Sequence, residues 1–189
     1  ETTGIDPISS SIVGLSFAAE PHKAWYIPFT AGADRNTIES SYAAILKPLF
    51  ECEKIIKVGQ NMKFDILFLR TLGIEVKGLK GDTMLMHYLL DAESRHGMDA
   101  LAERYLNYQP ISIESLIGKG AKQLTMDMVG VGKDVSPLTM YTRLMYVLST
   151  LTERIIRVAE LLGIDIVSVF NEVHASNMSK LGEDGHPIY

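Results

Sequence analysis

The 189-residue chain is short of several things at once. Cys52 is its one cysteine, so no intramolecular disulfide and no cysteine-based zinc site exists. A reducing cytoplasm is the compartment this fits. No apolar run approaches the roughly 20 residues a membrane helix needs. No basic stretch leads into an apolar one at the N-terminus, so no secretory signal is visible. The chain does not open on methionine but abruptly on Glu1-Thr2-Thr3-Gly4, which suggests a piece of something longer. Positive charge is also scarce: 18 Lys and Arg stand against 23 Asp and Glu, for a net charge of −5. A protein that grips duplex DNA by general electrostatics usually needs a basic face. A short single strand can still be held by metals, stacking and a few local cations.

What is present is an ordinary globular balance, 47% apolar and 22% charged, long enough for one domain with a real core. Ile12 to Ala18 reads as a strand, and aromatic, β-branched Lys23 to Phe29 as its hairpin partner across Glu20-Pro21-His22. Asn36 is placed to cap a helix over Ile38 to Phe50. Ile55 to Val58 reads as a short buried strand. A helix follows from Asn61 to Leu72, with Met62, Phe64, Leu67, Phe68 and Leu72 on one face, ended by Gly73. Asp82 caps the next helix, Thr83 to Leu90. Met98 to Leu106 and Ser112 to Ile117 are further helices, and Leu138 to Leu162 reads as one long helix or two close ones. Ser179 to Tyr189 reads as a connector. A hairpin, then alternating helix and strand, then helices, points to an α/β fold with a mixed sheet.

Five places carry chemistry worth weighing. Asp65 follows the strand ending at Val58-Gly59 by about one helical turn. It can face an open edge of the sheet, where a carboxylate suits a hard cation. Read alone, it is as well explained by a solvated helix carboxylate. Glu1 has no specificity by itself but makes a possible carboxylate pair with Asp65. Arg95, at the start of the segment Ser94 to Leu106, is placed to hold a phosphate, or simply to open a helix with Asp99 near its N-terminus. Lys119 and Lys122 sit on a glycine-bearing loop that lacks phosphate-loop spacing. His87, among Met84, Met86, Leu89 and Leu90, reads as a satisfied, partly buried histidine.

Taken together these segments resemble the DEDD group of 3′→5′ exonucleases, in the branch carried by DNA polymerase I. The first motif of that family is Asp-x-Glu, often inside DTETTG, and this chain shows ETTG at Glu1 to Gly4. The second, Asn-x-Lys-(Phe/Tyr)-Asp, is matched throughout by Asn61 to Asp65. Asp82 to Leu85, Arg95 to Leu106 and Gly118 to Thr125 also look like that branch, and the similarity runs to about Val129. The resemblance implies a ribonuclease H-like fold, a mixed sheet flanked by helices. It implies two divalent ions, Mg²⁺ or Mn²⁺, with Glu1 and Asp65 as catalytic metal ligands. It also implies that Thr3, Gln60, Asn61, Lys63, Arg95 and Met98 contact the terminal nucleotides of a single-stranded or frayed DNA 3′ end. An exonuclease-like domain over residues 1–162 and a connector over 163–189 leading to a linked polymerase module are expected.

The sequence departs from the family in one respect. The third motif is Tyr-x-x-x-Asp, whose tyrosine orients the attacking water and whose aspartate completes the metal site. Its tyrosine is due near Pro137, where the chain reads Val135 to Met140. Tyr141 is followed four residues later by Met145, and Tyr146 by Thr150. About seven residues are skipped between Pro137 and Leu138, either dropped from the sequence as read or truly deleted. A true deletion implies an inactive scaffold beside a polymerase.

Overall fold

The structure, a computed structural model, describes residues 2–20, 23–29, 43–120, 123–124 and 152–178. Glu1, Asn36, Pro137, the Tyr141 and Tyr146 segment and residues 179–189 lie outside them, as do Pro21, His22 and Lys122.

Strands β1 (Gly14–Glu20) and β2 (Lys23–Pro28) form the expected antiparallel hairpin, with Leu15 opposite Ile27 and Phe17 opposite Trp25. Thr2 bridges Ile12 antiparallel just before it. Helix α1 (Ala43–Glu51) puts Leu46 and Phe50 against the hairpin, where Phe50 meets Phe17 with ring centroids 6.1 Å apart. Strand β3 (Lys57–Gly59) leads into α2 (Met62–Thr71), which returns to β4 (Leu79–Asp82). β3 and β4 are parallel, so α2 is the crossover that parallel pairing requires. β4 runs directly into α3 (Thr83–Leu90), followed by α4 (Met98–Leu106) and α5 (Ile113–Ile117). Helix α6 covers residues 152–161, and α7 is Ile166–Met178.

Two apolar clusters hold these elements. The first joins the hairpin and α1 to Phe68 and Leu69 of α2 and to Leu72 just after it. The second joins Met86 of α3 and Leu101 of α4 to Ile155, Ala159, Ile166 and Phe170. Met86, Leu101, Ile155, Ala159 and Phe170 have no exposed surface at all. α7, in the span read from sequence as connector, packs against β4 and α3. Among the described residues no helix is long and apolar enough to cross a membrane.

The structure departs from the sequence expectation in several places. The strand expected as buried over Ile55 to Val58 forms only from Lys57 to Gly59, and Ile55, Ile56 and Val58 are exposed. The apolar face of α2 is carried by Met62, Ile66, Leu67, Phe68 and Leu69, while Phe64 is half-buried. β4 was unexpected, since Leu79-Lys80-Gly81-Asp82 has little strand character; pairing with β3 makes it one. Gly78 precedes it at φ +70, where a Cβ would lie 2.6 Å from the carbonyl oxygen of Ile55. That close approach lets the Lys57 N–H bond the Gly78 carbonyl at 2.9 Å and begins the pairing.

Candidate functional site

Because β3 and β4 run in the same direction, they end side by side, with Gly59 opposite Asp82. Two helices therefore start at one edge of the sheet, α2 after Gln60-Asn61 and α3 after Asp82. Open α/β sheets place ligands at this end of their strands.

Asp82 holds the edge together. It is 2% exposed, and its carboxylate accepts backbone N–H bonds from both helix starts. Oδ1 takes Asn61 N at 3.0 Å, Met84 N at 2.9 Å and Leu85 N at 3.4 Å, and Oδ2 takes Met62 N at 2.7 Å. The cap on α3 was readable from sequence, but the second cap, on α2, was not. Asn61 enters α2 in the left-handed region, φ 57 and ψ 43, a conformation asparagine tolerates better than most residues. Two leading N–H groups at the start of α2 are thus already taken by Asp82.

The side chains expected at the site fall into three groups. Asn61, Lys63 and Asp65 are exposed on the first turn of α2, with Asp65 where the helix dipole favours a carboxylate. Arg95 is exposed on the loop before α4, and Met98 is half-buried at the first position of that helix. Gln60 brings these two groups together. Its amide nitrogen donates to the carbonyl of His96 at 2.8 Å, and its amide oxygen accepts from the Thr83 hydroxyl. Thr3 bonds Ser11 instead: its N–H donates to Ser11 O at 2.9 Å, and its hydroxyl accepts from Ser11 N at 3.1 Å. Lys119 pairs with Glu114, a local contact within α5 and its exit.

The loop carrying Arg95 is tied at its start as well. Arg104 donates to Asp91 Oδ2 at 2.9 Å and to Ser94 Oγ at 2.8 Å, and Ser94 itself donates to Asp91. Ser94 and Arg104 together hold the Asp91 carboxyl below the usual carboxylate range. His87, expected to be satisfied and partly buried, is instead fully buried. Its Nδ1 lies 2.7 Å from Nδ1 of His96, and its Nε2 has no partner among the described residues. Its bonding partner sits nine residues away across the loop, so composition around His87 gave no sign of it.

Burial, then the His96 ring, then Arg104 lower the pKa of His87, with Asp91 opposing. Burial likewise lowers that of His174, with Asp82 opposing. Both rings thus stay neutral in the folded state at pH values where the unfolded chain, titrating near 6.5, takes up protons. Stability is present above about pH 6.5 and is lost as pH falls toward the lower folded values. Each ring contributes a slope of up to about 1.4 kcal/mol per pH unit in that window. The urea midpoint is expected to drop measurably between pH 7.5 and 5.5; a midpoint that stays level would contradict the burial of these rings.

Oxygen donors suit Mg²⁺ or Mn²⁺, and Asp65 supplies them at the open edge. One carboxylate does not make a two-ion site, however, and no group of three His, Cys, Asp or Glu among the described residues is placed to hold a metal.

The family described as 3′-5′ exonuclease matches residues 1–131. DNA polymerase I of Pseudomonas aeruginosa is 41% identical over 137 residues, which cover 69% of this chain and 15% of that protein. The chain thus spans about a seventh of this relative's length. Among solved structures, the apo form of a nuclease superposes with TM-score 0.71 at 16% identity, covering 100% of this chain and 86% of its own. Brucella melitensis NrnC with bound Mg²⁺ superposes with TM-score 0.64 at 16% identity, covering 90% and 77%. At such identities the likeness speaks to fold, and the fold is the expected ribonuclease H-like α/β arrangement.

Proposed function

The chain belongs to the 3′→5′ exonuclease domain family of DNA polymerase I, and we propose that it removes nucleotides from the 3′ end of single-stranded or frayed DNA as a proofreading module. The observation that carries this reading is the Gln60–His96 bond. It sets the loop bearing Arg95 against the helix start bearing Asn61, Lys63 and Asp65. In this reading the Arg95 guanidinium holds a phosphate near the 3′ end. Met98 supplies an apolar contact for a terminal base, and Thr3, Gln60, Asn61 and Lys63 orient the last nucleotides. Glu1 and Asp65 are the metal ligands. Divalent ions there offset the charge that builds on the phosphate as water displaces the 3′ oxygen. A covalently linked polymerase domain, reached through residues 163–189, and a cytoplasmic setting complete the proposal.

One observation favours a second reading, an inactive exonuclease-like scaffold. Nowhere in the 189 residues is a tyrosine followed four positions later by aspartate. A 5′-labelled single strand incubated with Mg²⁺ or Mn²⁺ separates the two. A ladder shortening from the 3′ end, stopped by EDTA, is the expected result. An intact strand in the presence of folded protein would leave the scaffold as the function.

A further inference from the structure

His87 has no part in the chemistry proposed above, yet it is buried against the loop that presents Arg95. The two facing Nδ1 atoms of His87 and His96 are 2.7 Å apart, a distance that requires one proton between them. The His87 ring also meets Tyr105 edge-on at 5.5 Å, and the His96 ring meets Tyr88 edge-on at 5.4 Å. Two tautomers satisfy the shared proton. If His87 accepts, its Nε2 carries a hydrogen into a buried place with no partner among the described residues. If His87 donates, Nε2 is left as a bare lone pair. His87 as the donor is the tautomer that leaves no buried N–H group orphaned among the described residues.

His96 is therefore gripped twice, at its ring by His87 and at its carbonyl by Gln60. Arg95 is the residue before it. We propose that His87 is a positioning residue for Arg95: by donating from Nδ1 to His96 it fixes the loop in the posture that meets a DNA phosphate. The inference rests on the reading that Arg95 contacts DNA, and it adds a residue remote from the strand itself.

The test uses the full chain with His87→Leu, His87→Asn and Arg95→Ala. Binding of a fluorescent single-stranded oligonucleotide is measured by anisotropy beside thermal unfolding. His87→Leu is expected to weaken binding roughly three- to tenfold, the scale of one lost hydrogen bond, while melting no lower than the wild type. His87→Asn places an amide donor near the site of Nδ1 and is expected to restore most of the affinity. His87→Leu combined with Arg95→Ala is expected to bind no worse than Arg95→Ala alone, because both act through one contact. Arg95→Ala that weakens binding while His87→Leu does not would overturn the proposal. Losses that add in the double variant would do so as well. Arg95→Ala binding as the wild type does would instead sink the DNA-facing role of Arg95, and the proposal with it. Independently of how the variants fold, the imidazole ¹⁵N spectrum of the wild type is expected to show His87 protonated at Nδ1 and His96 at Nε2; the reverse pattern would remove the donor.

Discussion

Alanine at Asp65 is expected to slow release of the 3′-terminal nucleotide by about a thousandfold, while leaving the fold and oligonucleotide binding nearly intact. If Asp65 is the metal ligand proposed above, the size follows from losing it in a site that neutralises developing charge: about 4 kcal/mol of transition-state stabilisation is about three orders of magnitude in rate. The separation from stability follows from where Asp65 stands. It is exposed on the first turn of α2 and is not among that helix's buried residues. Alanine is a good helix former, and the loss of a favourable dipole contact there is roughly 0.5 kcal/mol. Single-turnover cleavage, urea unfolding and anisotropy measured side by side check this. If rate and stability fell together, Asp65 would be a structural residue and the metal-ligand role would be lost to it.

The second large effect lies 17 positions on. Asp82→Ala is expected to cost about 3 kcal/mol, since it removes the cap of α3 and orphans two further N–H groups at the start of α2. For a chain of this size that corresponds to a melting point lower by about 10 °C. Asp82→Asn keeps one acceptor oxygen and is expected to fall between the two. Activity should decline in Asp82→Ala even well below its melting point, because the two helix starts that frame the edge are no longer tied to each other. An unchanged denaturation midpoint would mean that solvent satisfies these N–H groups as well as the carboxylate does.

Much of the architecture was legible because it is local. The hairpin, α2, α3 with its aspartate cap, and α4 from Met98 to Leu106 all announce themselves by periodicity and by a capping or stop residue. What escaped is what distant residues impose. β4 is a strand because β3 lies beside it, not because Lys80 and Gly81 favour one. α7 was passed over although Asp165 offers a readable start, accepting both the N–H and the hydroxyl of Ser168. At the site, the motif Asn61 to Asp65 was legible as a motif. The double cap by Asp82 and the His87–His96 pair were not, because each joins residues nine or more positions apart.

The helix closing the described chain has a consequence for anyone cutting this gene. The stretch that matches the exonuclease family stops at residue 131, and a truncation drawn there looks natural. It would remove Ile155, Ala159, Ile166 and Phe170, which face Met86 and Leu101 across a closed interior. The span that matches the family is therefore smaller than the span that packs together. A fragment ending at 131 is expected to precipitate or be degraded for want of a wall, whatever the state of its catalytic residues.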